Sequence, residues 1–298
     1  MLNFIKRAKN LVPGSSSALA ASEPNSASSS NLTAPTHETL NPSSHAVESA
    51  PVATLPNPQP PTPPEPAVEP KNFAKINREL IADNYLSGTG IEVGALNHPL
   101  YVPSTAQVKY VDRMSVPDLR THYPELNSVN LVEVDIIDNG ESLTTIAADS
   151  QDFVIANHFI EHCQNPIASL GSMLRVLKVG GVLYLAIPDK RYTFDRDRQV
   201  TPVEHILRDY EEGPEWSRRQ HFEEWTRIVN KIQDDHEAEV QINHLMAIDY
   251  SIHYHVWTQT EFLELLLAVK KTLNFAFELE LFCKNGDEMI VILRKADA

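Results

Sequence analysis

Residues 152–188 read DFVIANHFIEHCQNPIASLGSMLRVLKVGGVLYLAIP. Asp152 to Ala156 is a short apolar run. Pro166 to Leu177 places apolar residues at helical spacing and is stopped by Gly180-Gly181, and Val182 to Ile187 is a second apolar run. A strand, a helix and a strand in succession form a crossover unit, which makes the two strands parallel.

Toward the N-terminus the same alternation continues. Residues 73–86 are apolar at helical spacing, and Gly90 to Gly94 is a buried strand ending in glycine. Val108 to Asp112 and Val129 to Val134 are two further strands, the latter followed by Asp135. Toward the C-terminus, Thr258-Gln259-Thr260-Glu261 fits a capping box ahead of the helix FLELLLAVKKTL. FAFELELF and EMIVILRK flank Lys284-Asn285-Gly286-Asp287, a hairpin signal. The expected fold is α/β: a mostly parallel sheet, helices on both faces and a closing antiparallel pair.

The chain has 298 residues and a formal charge of 25 − 40 = −15. Residues 1–70 hold 13 of the 21 prolines and only Gly14 of the 10 glycines. They read as a disordered Ser/Pro/Ala-rich arm followed by one folded body, residues 71–298. Within the arm, residues 1–13 place Lys6, Arg7 and Lys9 among apolar residues, a peptide able to touch a membrane surface or a protein. The acidic balance excludes a general nucleic-acid binder, which needs a basic face. No run of about 18 apolar residues exists, so no transmembrane helix is expected. Cys163 and Cys283 cannot form a disulfide framework and read as reduced buried thiols of a cytoplasmic protein.

Ligands of such sheets bind outside the carboxyl ends of the strands. Glu92 with Gly94, then Asp112, then Asp135 stand at three successive strand ends. Carboxylates suit sugar hydroxyls, an adenine amine and a cation, and repel phosphates. A nucleoside bearing a cation, such as S-adenosylmethionine, fits that pattern.

At this point the sequence resembles a class I S-adenosylmethionine-dependent methyltransferase, within the bacterial type 11-like group often associated with glycans and glycosyltransferases. The resemblance rests on IEVGALNHPL (91–100), KYVDRMSVPDLRTHYPEL (109–126), VEVDIID (132–138), residues 152–195 with their IEH-x-x-x-P element, and HVWTQTEF (255–262). It implies a Rossmann-like seven-stranded sheet with a helical insertion after the fifth strand, at 190–256, serving as acceptor pocket and lid. The usual glycine-rich loop is reduced to Gly94, followed by Ala95. The resemblance further implies S-adenosyl-L-methionine as cofactor. Glu92, Gly94 and Ala95 would stand near its amino-acid portion, Asp112 would accept from the ribose hydroxyls and Arg113 would stack by the adenine. Asp135 would accept from the adenine amine with Ile136 on the ring, and Asn157 and His158 would line the sulfonium. His162 would orient this loop. The implied reaction is O-methylation of a small-molecule or glycan acceptor. Its proton acceptor would be one of His158, Asp189, His221 and His253, with His158 and Asp189 preferred by position and His221 from the lid.

Two other readings stand beside it. A reduced loop also suits a methyltransferase-fold module that binds partners without catalysis. His158-Phe159-Ile160-Glu161-His162 matches H-x-x-E-H, the signature of a zinc hydrolase, which needs an extended helix. His253 and His255, with His221, His236 and His244, match no standard ligand spacing, so no metal site is expected. His255 and Trp257 instead hold the capping-box helix.

Overall fold

The computed structural model describes residues 76–297. The arm 1–70 and its amphipathic start lie outside the described residues. Seven strands form one sheet: β1 (Gly88–Val93), β2 (Ala106–Asp112), β3 (Ile136–Ile137), β4 (Gln151–Asn157), β5 (Leu177–Pro188), β6 (Phe277–Asn285) and β7 (Glu288–Lys295). Their order is β3-β2-β1-β4-β5-β7-β6, with β7 antiparallel to both neighbours and the other six strands parallel. The chain reverses at β1, so β2 and β4 flank it and a crevice opens at their carboxyl ends.

Period-two alternation gives each strand two apolar faces. Val154 and Ala156 join Leu183, Leu185 and Val291 on one face, under α3 (Pro166–Val176) and α7 (Gln259–Thr272). Phe153 and Ile155 join Tyr184 and Ile292 on the other, under α1 (Arg78–Tyr85). The capping box forms in full: Thr258 accepts from the Thr260 amide, and Glu261 accepts from the Thr258 amide. Trp257 is fully buried against Phe262 of this helix, ring centroids 5.3 Å apart.

A third apolar cluster belongs to the additions. It packs Leu119 of α2 (Val116–His122) against α5 (Glu215–Glu224), a π-helical turn at Trp225–Val229, and α6 (Asp235–Ala247). Helix α4 (Val203–Glu212) precedes them and lays Ile206 on the main core.

Two expectations are corrected. The third strand is not Val129–Val134 but Ile136–Ile137. Val129, Leu131 and Val134 pack into the third cluster, so their apolar character serves a loop rather than a ladder. Gly180-Gly181 does not separate helix from strand; it lies within β5, where Gly180 takes φ +81° and the register against β4 shifts. The two cysteines are free, Cys163 buried and Cys283 half-buried. Among the described residues no helix is long and apolar enough to cross a membrane.

Candidate functional site

The carboxyl ends of β1, β2 and β4 open into a cavity of about 640 Å³, within the range of roughly 300–1,000 Å³ typical of ligand sites. Strand ends and the loops after them form its floor. Trp225, His253 and Tyr254 of the insertion face them, and Arg78, Asn285 and Glu288 close a third side.

At the end of β1, Glu92 is buried, and its carboxylate accepts from the Leu100 amide at 2.9 and 3.1 Å. Burial pushes its pKa up to about 7, against the Leu100 amide and Arg78. The chain then turns at Gly94, whose φ of +66° is left-handed and favours glycine. Gly94 and Ala95 both line the cavity.

Asp112 ends β2 at the cavity wall, and burial raises its pKa despite the amides of Met114 and Arg113. Arg113 reaches across to the insertion, donating to Tyr123 Oη at 2.6 Å and to Asp249 at 3.1 Å. Its guanidinium is therefore a strap as much as a stacking surface.

Asp135 and Ile136 are not among the lining residues. The Asp135 carboxylate accepts from the Tyr110 amide at 2.8 Å, and Ile136 pairs with Val111 in the sheet. The third strand end contributes Asn139, Gly140 and Glu141 instead. Asp138 anchors them by accepting from the amides of Asn139 and Thr145 at 2.8 Å each. Sequence reasoning missed these residues, although Asp-Asn-Gly after an apolar pair is a turn signal.

Beyond β4 the cavity meets Asn157, His158 and His162. Both amide atoms of Asn157 are buried with no hydrogen-bond partner. His158 sits at φ +50°, with Nε2 2.8 Å from Glu288 and Nδ1 3.5 Å from Glu161. Burial opposes its charge, but the two carboxylates outweigh burial and raise its pKa to about 9. It is a protonated bridge, so it has no lone pair for an incoming proton. Glu288 also takes Arg78, Nε to Oε1 at 2.8 Å, and is held at about 2 although its burial works against ionisation. His162 places Nδ1 2.9 Å from the Ile252 carbonyl, the geometry of an N–H donor. Its Nε2 is buried without a partner, and burial with the nearby His253 lowers the ring to about 4.

The H-x-x-E-H stretch does not form the helix that a zinc hydrolase needs. His158 is left-handed and Ile160–His162 is a single 3-10 turn. The two histidines turn to different partners, Glu288 and Ile252.

Of the four candidate proton acceptors read from the sequence, His158 and His253 line the cavity. Asp189 is buried outside the lining and binds Arg191 through both oxygens, at 2.9 and 2.6 Å. His221 lies beside His205 of α4, their Nε2 atoms 3.1 Å apart, also outside the lining. His253 does line it. Its Nδ1 lies 2.7 Å from Asp195, and Asp195 accepts from the fully buried Arg198 at 3.0 Å. Burial works against the Asp195 charge, but His253 and Arg198 hold it below the ordinary aspartate range. Phe194 and His162 pack on the His253 ring with centroids 4.8 and 4.6 Å away.

Known proteins give a family for this arrangement. A family model for a methyltransferase domain matches residues 74–269. No curated protein matches. Among solved structures, the CurJ carbon methyltransferase aligns over 75% of this chain at 11% identity and a TM-score of 0.38; the present chain spans 50% of that chain's length. An S-adenosylmethionine-dependent methyltransferase of Thermotoga maritima, a possible histamine N-methyltransferase, aligns over 73% of this chain and 88% of its own, at 16% identity and a TM-score of 0.40. Another, from Methanosarcina mazei, aligns over 72% and 96%, at 17% identity and a TM-score of 0.39.

Proposed function

Because the chain belongs to the methyltransferase domain family, we propose that it transfers a methyl group from S-adenosyl-L-methionine to a hydroxyl of a small-molecule or glycan acceptor. The observation that carries this reading is the cavity itself. Strand-end groups suited to a nucleoside line one side, and an aromatic, histidine-bearing insertion lines the other.

The residues present fit the cofactor. Asp112 is a half-buried carboxylate at the end of β2, suited to two ribose hydroxyls. Asn157 offers a donor and an acceptor that no protein group uses, suited to an amino-acid head. Glu92 and Glu141 place carboxyl groups in the cavity. When bound, S-adenosylmethionine supplies an electrophilic methyl group. The protein's own work is to align the acceptor, exclude water and remove a proton.

His253 is the residue placed for that last step. The Asp195 carboxylate beside Nδ1 holds the ring in the tautomer whose Nε2 carries the lone pair, as an orienting carboxylate does in other histidine bases. Trp225, Tyr250 and Tyr254 present aromatic surface on the same side, suited to the apolar face of a sugar.

Calorimetric titration of the full-length protein with S-adenosylmethionine tests the reading. Binding that Asp112→Ala abolishes, followed by transfer of labelled methyl to members of a sugar-alcohol panel, is the expected result. Absence of binding by folded protein overturns the catalytic reading and leaves a partner-binding module.

A further inference from the structure

His205 and Asp209 stand one turn apart on α4, His221 lies on α5 and His255 lies just before α7. None of the four lines the cavity, and the proposed methyl transfer uses none of them. Each offers one nitrogen or oxygen atom to a common point, all four atoms lying within 4.8 Å of one another.

Two of the spacings match those of ligands around one ion. His205 Nε2 is 3.1 Å from His221 Nε2 and 3.4 Å from Asp209 Oδ2. Tetrahedral zinc, with bonds of about 2.0–2.1 Å, keeps its ligand atoms about 3.3–3.4 Å apart. His255 sets its Nε2 3.6 Å from the same Asp209 oxygen, which brings the ring against the cluster. Asp209 Oδ2 and His255 Nδ1 are buried without a hydrogen-bond partner, a costly state for a carboxylate and an imidazole.

The supporting groups are also in place. Ser217 Oγ donates to Asp209 Oδ1 at 2.9 Å, which fixes the carboxylate and leaves Oδ2 toward the cluster. The Gln164 carbonyl lies 3.3 Å from that same His255 Nε2, which leaves the unpartnered Nδ1 as the nitrogen for the ion. Partners of this kind orient ligating side chains at metal sites.

We propose that His205, Asp209, His221 and His255 form a closed tetrahedral site for one divalent transition ion, zinc by donor chemistry. Three imidazoles and a carboxylate suit zinc, and four protein ligands leave no open position, so the ion is structural. It fastens α4 and α5 to the segment 253–257, whose His253 and Tyr254 face the cavity.

The test is elemental analysis of full-length, tag-free protein purified without chelator. One zinc per chain is expected. After chelation, cobalt(II) should restore one ion per chain with the visible spectrum of a tetrahedral site. Asp209→Ala and His255→Ala should weaken zinc binding by more than the roughly 10–100-fold that loss of a supporting residue costs. Asp209→Cys, which supplies a thiolate, should retain it. His162→Ala, altered in the separate Glu161, His162 and His253 group, should keep the zinc. Wild-type protein with only trace metal and no cobalt spectrum overturns the site, as does loss of zinc in His162→Ala with retention in His255→Ala. The wild-type measurements decide even if a variant fails to fold, and zinc content is independent of whether the cavity transfers methyl groups.

Discussion

His253 Nδ1 lies 2.7 Å from Asp195 Oδ2, and Arg198 holds the far side of that carboxylate at 3.0 Å. A buried cation, a carboxylate and an imidazole are thus linked in series, and the imidazole lines the cavity. If His253 removes the acceptor proton, His253→Gln should lower kcat by about 10²–10⁴-fold. The dissociation constant for S-adenosylmethionine should stay unchanged, because the ring acts on the acceptor. Asp195→Asn should lower kcat with little change in acceptor KM, since Asp195 acts through His253. Steady-state kinetics beside calorimetry separates these effects; equal losses in binding would remove His253 from the proton step.

The bridge from Arg78 through Glu288 to His158 gives stability a pH signature. His158 rises from 6.5 to about 9 on folding, so its contribution is complete below pH 6.5 and is lost as pH rises through 9. Glu288 falls from 4.5 to about 2, so its contribution is complete above pH 4.5 and is lost as pH falls through 2. Wild-type protein should therefore lose its advantage over His158→Gln between pH 6.5 and 9, by up to about 3 kcal/mol. Urea denaturation across that window measures it, and parallel curves for the two proteins would refute the assignment.

Glu92 behaves in the opposite sense to Glu288. Its value rises from 4.5 to about 7 on folding, so the folded state binds the extra proton between those limits and stability falls as pH rises through them. Glu92→Gln still offers an oxygen to the Leu100 amide. That variant should lack this slope and be about 1–3 kcal/mol more stable than wild type above pH 7. Denaturation at pH 5 and pH 8 checks the sign.

Gly140 is a packing requirement rather than a conformational one. A Cβ there would meet Val93 Cγ1 at 2.4 Å and Phe159 Cζ at 2.7 Å. Gly140→Ala should cost about 1–3 kcal/mol through overpacking and displace the loop of Asn139 and Glu141. Thermal unfolding reads the first effect and cofactor titration the second.

The parallel strands, the capping box at Thr258 and the terminal hairpin were legible because their signals are local: apolar runs, an N-cap pair and Asn-Gly. The position of Glu92, Gly94, Asp112, Asn157 and His158 at the cavity was legible for a related reason, since a strand fixes where its last residue points. Asp135 and Ile136 were misplaced toward the cavity by the same logic. The apolar run before them packs outside the sheet and moves the strand two residues along. The pairing of His253 with Asp195 spans 58 positions, and no local pattern announces it.

The sequence alone determined the order of strands and helices and which strand ends open on the cavity, because hydrophobic period and turn chemistry act over a few neighbouring residues. The tertiary structure decided the partners of the histidines. His158 meets Glu288 across 130 positions and becomes a fixed cation. His253 meets Asp195, and His221 and His255 turn away from the cavity toward His205 and Asp209. The same imidazole meets Glu288, Asp195 or Asp209 according to where folding places it, and long-range packing alone sets that neighbour.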